Sequence, residues 1–263
     1  MSGRSQPRAT AVVALAIATL LLPFWARLAM SGGFTQLQGA TFADLTFRTL
    51  ESRSFRKLEL EAYLEYGLLD SLTFTVKSPY DWLENEVNGK KLHNEGFIDQ
   101  EIGLRWRLNR DPFLAVAVQG TLIVPSGYNP KADLPLDKGV VGFEWRLPVS
   151  GSYQLGQQYG YWSAEAAYRD YFGPRSDEVR LFGELNVPVI DRLAVDVQID
   201  HITSLQTRFL FRKEETDLTK LLGHVRVQLL DRLRLGLGGY THIRGVPGNG
   251  VEVQLWYTFG PRP

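Results

Sequence analysis

The residues best able to do chemistry are acidic and basic side chains that recur at every second position. Glu59 and Glu61 follow this spacing, and so do Arg105 and Arg107. Residues two apart lie on the same face of a β-strand, so each run predicts one charged face. We expect this face to line the inside of a closed sheet, and its predicted members are Glu59, Glu61, Tyr63, Glu65, Glu101, Arg105, Arg107, Glu144, Arg146, Glu165, Arg180, Glu184, Asp196, Arg226 and Tyr240.

Such a charged face permits two interpretations. Fixed charges of both signs could line a polar pore and screen the solutes that enter it. The same charges could instead form a ladder of ion pairs that fills a narrow barrel, because charges removed from water need partners. The residue pattern leaves both interpretations open, and the two can coexist.

Catalytic and metal sites find little support in the residue spacing. The histidines show no metal-ligand spacing, so we expect neither a metal nor a cofactor; they are His93, His201, His224 and His242. Residues 240–242 (Tyr-Thr-His) are similar to the start of the outer-membrane phospholipase motif, but Arg244 stands where that motif needs a serine. His201 and Ser204 are three residues apart and would face opposite sides of a strand. We therefore expect no catalytic residue and rank a lipid hydrolase last.

Composition narrows the class of protein. The 263 residues carry 29 Lys+Arg and 29 Asp+Glu, and this balance argues against nucleic-acid binding, which needs excess positive charge. The chain has no cysteine, which excludes zinc ribbons, thiol redox centres and disulfide frameworks. Aromatic residues reach 12% although the mean hydropathy is slightly negative. This combination favours a membrane barrel, in which only every second strand residue is apolar.

The first 31 residues have the pattern of a secretory signal peptide. Arg4 and Arg8 precede a charge-free stretch from residue 9 to residue 26, whose apolar core is 11–22. Small residues then surround Met30, and cleavage after Ser31 uses them, although any boundary within 28–32 stays open. The alternative is an uncleaved membrane anchor. We expect residues 1–31 to be the signal peptide and residues 32–263 to be one barrel domain.

From residue 40 onward the dominant period is two, over about twelve runs. The clearest run has Leu58, Leu60, Ala62 and Leu64 alternating with charged or polar residues. The runs span about 9–12 residues, the length of a tilted membrane-spanning strand, whereas strands of soluble sheets have about 5–6. We therefore predict an all-β, antiparallel up-and-down transmembrane barrel of about twelve strands, located in the bacterial outer membrane.

The connections between the predicted strands sort by parity. Odd strands are followed by longer loops, expected at 80–96, 125–138, 170–177 and 202–217. Even strands are followed by tight turns. The exceptions to this parity are the short first and last loops, 51–56 and 244–249, and the longer link at 148–158. Long external loops and short periplasmic turns are typical of outer-membrane barrels. Aromatic residues expected in interfacial girdles are Tyr66, Tyr80, Trp82, Trp106, Trp162, Tyr168, Tyr171, Tyr257 and Phe259.

The last strand is expected to carry an assembly signal. Its alternating apolar residues include Tyr257 and end at the aromatic Phe259, which resembles the signal read by the barrel-insertion machinery. The pattern departs from that signal because residues 260–263 follow the aromatic. We expect the insertion machinery and outer-membrane lipid to be partners of the chain.

Several stretches in the first half of the predicted barrel resemble a known family. They are residues 60–70, 72–74, 103–108 and 117–128. These strand–turn–strand motifs are similar to those of the family of outer-membrane proteins called "MetA-pathway of phenol degradation". The resemblance implies the barrel fold and its location, and the family's name suggests aromatic compounds. We expect a passive channel or uptake barrel for a small organic solute; the alternatives are a structural barrel with a closed lumen and the lipid hydrolase. The oligomeric state stays open.

Overall fold

A computed structural model describes most of the chain after the predicted signal peptide. The described residues are 32–127, 129, 132–136, 139–173, 175–205 and 217–261. Residues 1–31 lie outside them, so the signal peptide and its cleavage site stay predictions. Among the described residues, no helix is long and apolar enough to cross a membrane.

Thirteen β-strands lie within the described residues and form one antiparallel sheet. Their bounds are β1 Thr41–Ser52, β2 Phe55–Leu69, β3 Leu72–Val87, β4 Lys90–Phe97, β5 Gln100–Arg107, β6 Leu114–Val124, β7 Gly142–Leu155, β8 Gln158–Tyr171, β9 Glu178–Ile190, β10 Leu193–Ser204, β11 Asp217–Leu230, β12 Leu233–Arg244 and β13 Asn249–Phe259. Twelve of them close into a ring, because β1 pairs with both β2 and β13 while β3 pairs with β2 and β5. The predicted twelve-stranded up-and-down barrel is confirmed.

The thirteenth strand, β4, corrects the sequence prediction of a loop at 80–96. β3 continues to Val87, the chain turns at Asn88 and Gly89, and β4 returns along β3. Asn88 has φ 52° and Gly89 has φ 77°, which are the positive values that a type I′ hairpin turn requires. The Asn-Gly pair was the signal that the loop prediction missed. The hairpin extends the wall beyond the closed ring.

The link at 148–158 is a second correction. It was expected to be an exception among the tight turns, but β7 continues to Leu155 and β8 begins at Gln158. Gly156 makes the two-residue turn between them with φ 62°. One end of the barrel therefore has only short connections, at residues 70–71, 108–113, 156–157, 191–192 and 231–232. By the usual asymmetry of these barrels, this end is periplasmic.

The longest of these periplasmic turns, 108–113, is held by its own side chains. Asp111 Oδ1 accepts hydrogen bonds from the backbone N–H groups of Phe113 at 2.7 Å and Leu114 at 3.0 Å. These backbone bonds hold the pKa of the Asp111 carboxyl below its ordinary value, because they favour the carboxylate. The stability that these hydrogen bonds contribute is therefore present above the ordinary pKa of aspartate and is lost as the pH falls through the lowered pKa of Asp111.

The two faces of the sheet have opposite chemistry. The outer face exposes large apolar side chains such as Leu104 and Val197, which are 49% and 48% exposed. The inner face buries charged residues such as Glu144 and Asp196, both 0% exposed. This arrangement is the reverse of a soluble protein and suits a hydrocarbon environment. One girdle residue was placed wrongly: Tyr171 is buried on the inner face, because it shares the parity of Arg169.

Candidate functional site: the barrel lumen

The extracellular half of the lumen contains an ion-pair cluster around Arg48 on β1. Its guanidinium Nη1 lies 2.5 Å from Glu59 Oε1 and 3.3 Å from Glu61 Oε2, both on β2. Its Nε lies 2.5 Å from Glu252 Oε2 on β13. Arg48 is directly opposite Glu59 and Glu252 in the strand register, so the sheet itself brings the three charges together.

Ion pairs in the same half also reach across the lumen. Arg169 on β8 lies 2.8 Å from Glu144 on the adjacent β7 and 2.8 Å from Glu101 on β5. Two strands, β6 and β7, separate β5 from β8. The ion pair between Arg169 and Glu101 therefore crosses the interior of the barrel instead of joining adjacent strands. Arg146 completes the group with Glu144 at 2.6 Å and Glu165 at 2.5 Å.

A second group of contacts between non-adjacent strands lies in the periplasmic half and is centred on Arg226 of β11. Its Nη2 lies 2.9 Å from Asp196 Oδ2 on β10 and 3.7 Å from Glu184 on β9. Its Nη1 donates to the Tyr161 hydroxyl on β8 at 2.7 Å, and Tyr161 donates in turn to Glu184 at 2.9 Å. The guanidinium also stacks on the ring of Trp256, 3.4 Å from its centroid. Four strands therefore converge on one arginine.

Arg105 on β5 organises the other side of the periplasmic half. Its Nη1 lies 2.8 Å from Glu65 Oε1, and its Nε donates to Gln119 at 2.9 Å. Its Nη2 donates to the Tyr63 hydroxyl at 3.0 Å. The same guanidinium donates to the backbone carbonyl of Phe34 at 3.1 Å, a residue that precedes the first strand. Arg105 thus links the wall to a segment inside the barrel.

That segment is residues 32–40, which cross the periplasmic opening. At one end the Gly33 N–H donates to Ser150 Oγ on β7 at 2.8 Å. Near the middle Gln36 Nε2 donates to Glu65 on β2 at 2.7 Å. Phe34 is buried against Ala115 and Tyr161. The sequence analysis missed this segment, and its one signal is the pair Gly32-Gly33: a Cβ on Gly33 would lie 2.5 Å from the Ala115 carbonyl oxygen.

Solvent exposure of the inward basic side chains differs between the two halves of the lumen. In the extracellular half, the side chains of Lys77 and Arg146 are 31% and 26% exposed, although that of Arg169 is only 2% exposed. In the periplasmic half, those of Arg105 and Arg226 are 7% and 4% exposed. Lys77 and Arg146 are therefore in contact with solvent, whereas Arg105, which binds the backbone of residues 32–40, is buried.

The remaining predicted residues are placed as follows. Arg107 lies against the crossing segment, with its guanidinium 5.2 Å from the Phe34 ring centroid, and Arg180 pairs with Glu178 at 2.9 Å. The Tyr240 hydroxyl donates to the Thr49 carbonyl at 2.7 Å on the inner side. The rings of Tyr257 and Phe259 are 4.2 Å apart at the end of β13. Their role in assembly is a prediction.

Among the described residues, His201 and His242 contact groups other than a serine hydroxyl. His201 Nδ1 hydrogen-bonds Thr219 Oγ1 at 2.9 Å, and His242 Nδ1 donates to the Val246 carbonyl at 2.9 Å. Within the described residues, no group of histidine and acidic side chains could hold a metal ion.

Comparisons with known proteins bear on the fold. No protein-family model matches the chain, and no curated protein matches it. Among solved structures, an outer-membrane channel from Pseudomonas putida F1 has 14% identity over 88% of this chain and 100% of its own, with a TM-score of 0.59. The chain has the outer-membrane β-barrel fold. The NanC porin (8% identity, 82% and 98% coverage, TM-score 0.56) and the KdgM porin (10%, 82% and 99%, 0.50) share this fold.

The location of the protein follows from this fold and its surface. A closed sheet leaves no unpaired strand edge inside the bilayer, so the strands of the ring satisfy their backbone groups on one another. The apolar outer face meets lipid, and bacterial barrels of this kind lie in the outer membrane. Outer-membrane lipid is therefore the surrounding of the barrel.

Proposed function

We propose that the protein is a passive outer-membrane channel for small organic solutes. The observation that carries this proposal is the inner face of the barrel, which is polar and charged and keeps partly exposed cations, Lys77 and Arg146, in its extracellular half. If ion pairs only filled the lumen, its extracellular half would not need cations that are exposed to solvent. The fold shared with an outer-membrane channel and two porins supports the same function.

The solute is proposed to be small and organic, with aromatic compounds as the first class to test. The resemblance to the phenol-degradation family suggests this class. The inner face also carries partly exposed aromatic rings at Tyr63 and Trp256, which offer flat apolar contact beside hydrogen-bonding groups.

The competing function is a structural barrel whose lumen is closed. The contacts of Arg169 and Arg226 across the interior favour this structural function, because they fill the lumen with paired side chains. A barrel of about eight strands is filled by side chains, whereas about sixteen leave an aqueous channel, and twelve lies between these sizes. Conduction decides between the two functions.

The test is planar-bilayer conductance together with liposome uptake of phenolic and aliphatic solutes. We expect a small conductance and uptake of small solutes by the wild-type barrel. Gly33→Val should raise the conductance severalfold, since the added side chain would clash with the Ala115 carbonyl and displace residues 32–40. Gln38→Ala is the matched control, because the Gln38 side chain is exposed and its conductance should stay at the wild-type value.

Two outcomes would overturn the channel. If neither the wild type nor Gly33→Val conducts and no solute enters liposomes, the structural function is correct. Release of fatty acid from phospholipid or lipopolysaccharide that disappears in His242→Ala or His201→Ala would instead establish the hydrolase.

A further inference from the structure

Asp44 differs from the other inward-facing carboxylates of the described strands. Every other one lies within 4.0 Å of a lysine or arginine nitrogen; examples are Glu65 with Arg105 and Asp200 with Lys220. For Asp44, the described residues provide no such ion pair. Its two carboxylate oxygens instead lie 3.1 and 3.2 Å from the Thr46 hydroxyl, which can donate only one hydrogen bond.

Aromatic side chains surround this carboxylate. In the strand register Asp44 lies directly opposite Tyr63 on β2 and Trp256 on β13, so its two lateral neighbours are both aromatic. Phe42, two residues earlier on the same face, contacts both rings, with centroid distances of 6.4 Å to Tyr63 and 5.7 Å to Trp256. Asp44, Tyr63 and Trp256 are all partly exposed on the inner face, whereas Phe42 is buried.

Neither Arg48 nor Arg226 forms an ion pair with Asp44. The charge of Arg48 acts on Asp44, but its guanidinium is ion-paired with Glu59, Glu61 and Glu252. Arg226 stacks on the ring of Trp256, but its hydrogen bond and its closest ion pair go to Tyr161 and Asp196. The Trp256 ring thus holds one cation, Arg226, on one of its faces. The indole Nε1 of Trp256 is buried and has no hydrogen-bond partner among the described residues. Because the indole N–H is only a donor, it cannot bind an ammonium group. The features that point to a cationic ligand are the carboxylate without an ion-pair partner and the ring faces beside it.

This combination matches one class of ligand. A carboxylate away from bulk water is costly without a positive partner. Aromatic rings beside it attract cations through their negative faces, and they favour organic ammonium groups, whose methyl or methylene groups also bury apolar area. A small inorganic cation would gain the charge but not the apolar contact.

We propose that Asp44, Tyr63 and Trp256 form a binding site for an organic ammonium ion inside the lumen. Asp44 supplies the charge, and the two rings hold the carbon groups of the ligand. The site lies near the periplasmic end of β1. As a solute site it rests on the proposed channel function and names the charge of its solute.

The experiment measures binding to the folded barrel in a nonionic detergent, by saturation-transfer NMR. The probes are choline and 3,3-dimethylbutan-1-ol, which share size and shape but differ in the positive nitrogen. We expect transfer to choline and not to the neutral alcohol. Asp44→Asn should weaken choline binding about tenfold, the loss expected for one charged contact of roughly 1.4 kcal/mol.

Asp200→Asn is the matched control, because Asp200 is also a partly exposed inward carboxylate but lies beside Lys220. Its choline affinity should equal that of the wild type. Trp256→Leu should weaken choline binding as well, in protein whose heat-modifiable migration shows that it is folded. No choline signal, equal signals from both probes, or an unchanged affinity in Asp44→Asn would each overturn the site. Choline binding in detergent does not require transport. The binding site can therefore be confirmed or rejected independently of the conductance that tests the channel function.

Discussion

At the scale of single residues, the interior is governed by the cost of removing charge from water. Glu144 has no solvent exposure, yet it lies between Arg146 and Arg169 at 2.6 and 2.8 Å. Each inward charge of this kind is tolerated because a neighbouring strand supplies its opposite. Removing one partner therefore harms the barrel more than the pair benefits it.

We expect Glu144→Gln to destabilise the barrel by about 3 kcal/mol, because it leaves the buried Arg169 and the partly exposed Arg146 short of one negative charge. Urea unfolding in detergent, followed by heat-modifiable gel migration, measures the change. Glu86→Gln is the control: this carboxylate is exposed on the hairpin, and its change should stay within about 0.5 kcal/mol. Equal effects of the two substitutions would mean that buried pairing does not stabilise the lumen.

At the scale of the strand, a period of two determines which residues meet lipid. Val197 on β10 points outward and is 48% exposed, while the adjacent Gln198 points inward and donates to Glu184. A slip of one residue would exchange the two faces of the whole strand. The direction in which each side chain points is therefore a property of the whole strand. It can be tested at two adjacent residues, such as Val197 and Gln198.

Val197→Arg should cost about 2–4 kcal/mol of folding free energy, since it places a charge on the lipid face near the middle of the strand. Gln198→Arg, one residue away, should cost less, because its side chain enters the polar interior. Unfolding titrations of both variants in lipid vesicles give the comparison. If the two substitutions were tolerated equally, the assigned facing of β10 would be wrong.

The last strand supports a separate prediction about assembly. We expect Phe259→Asp to reduce insertion into the outer membrane, because it removes the terminal aromatic of β13, whose ring contacts Tyr257. Deleting residues 260–263 should leave insertion intact, which makes it the control. Pulse-labelled cells probed for the heat-modifiable form measure insertion. Wild-type assembly of Phe259→Asp would remove the assembly role of this residue.

At the scale of the whole molecule, closure of the sheet decides the environment. The ring pairs β1 with β13, so residues such as Arg48 and Glu252, about two hundred positions apart, become neighbours. Closure also encloses residues 32–40, which would have no interior to enter in an open sheet.

The whole barrel should fractionate with the outer membrane and show heat-modifiable migration in detergent gels. The reason is the closed hydrogen-bonded ring with its apolar surface, which resists detergent until it is heated. Membrane fractionation followed by gels with and without boiling provides the measurement. Recovery of the chain as a periplasmic protein without detergent would contradict the membrane location.

The sequence by itself determined the properties that depend on local periodicity. Alternation of apolar and charged residues predicted the twelve ring strands and the inward position of side chains such as Glu65 and Arg105, because neighbouring residues of a strand point to opposite faces. The Asn88-Gly89 hairpin was also readable in the sequence, since its turn chemistry is local, but the run of charges around it was interpreted as a loop.

Only the tertiary structure decided what meets inside the barrel. The ion pair between Arg169 and Glu101 joins positions 68 residues apart. The hydrogen bond between Gly33 and Ser150 joins positions 117 residues apart. No local pattern marks such partners, because they depend on ring closure and on which long side chain reaches which carboxylate. The isolation of Asp44 has the same origin: it is one more inward acid in the sequence, and the folded register gives it aromatic neighbours instead of a cation.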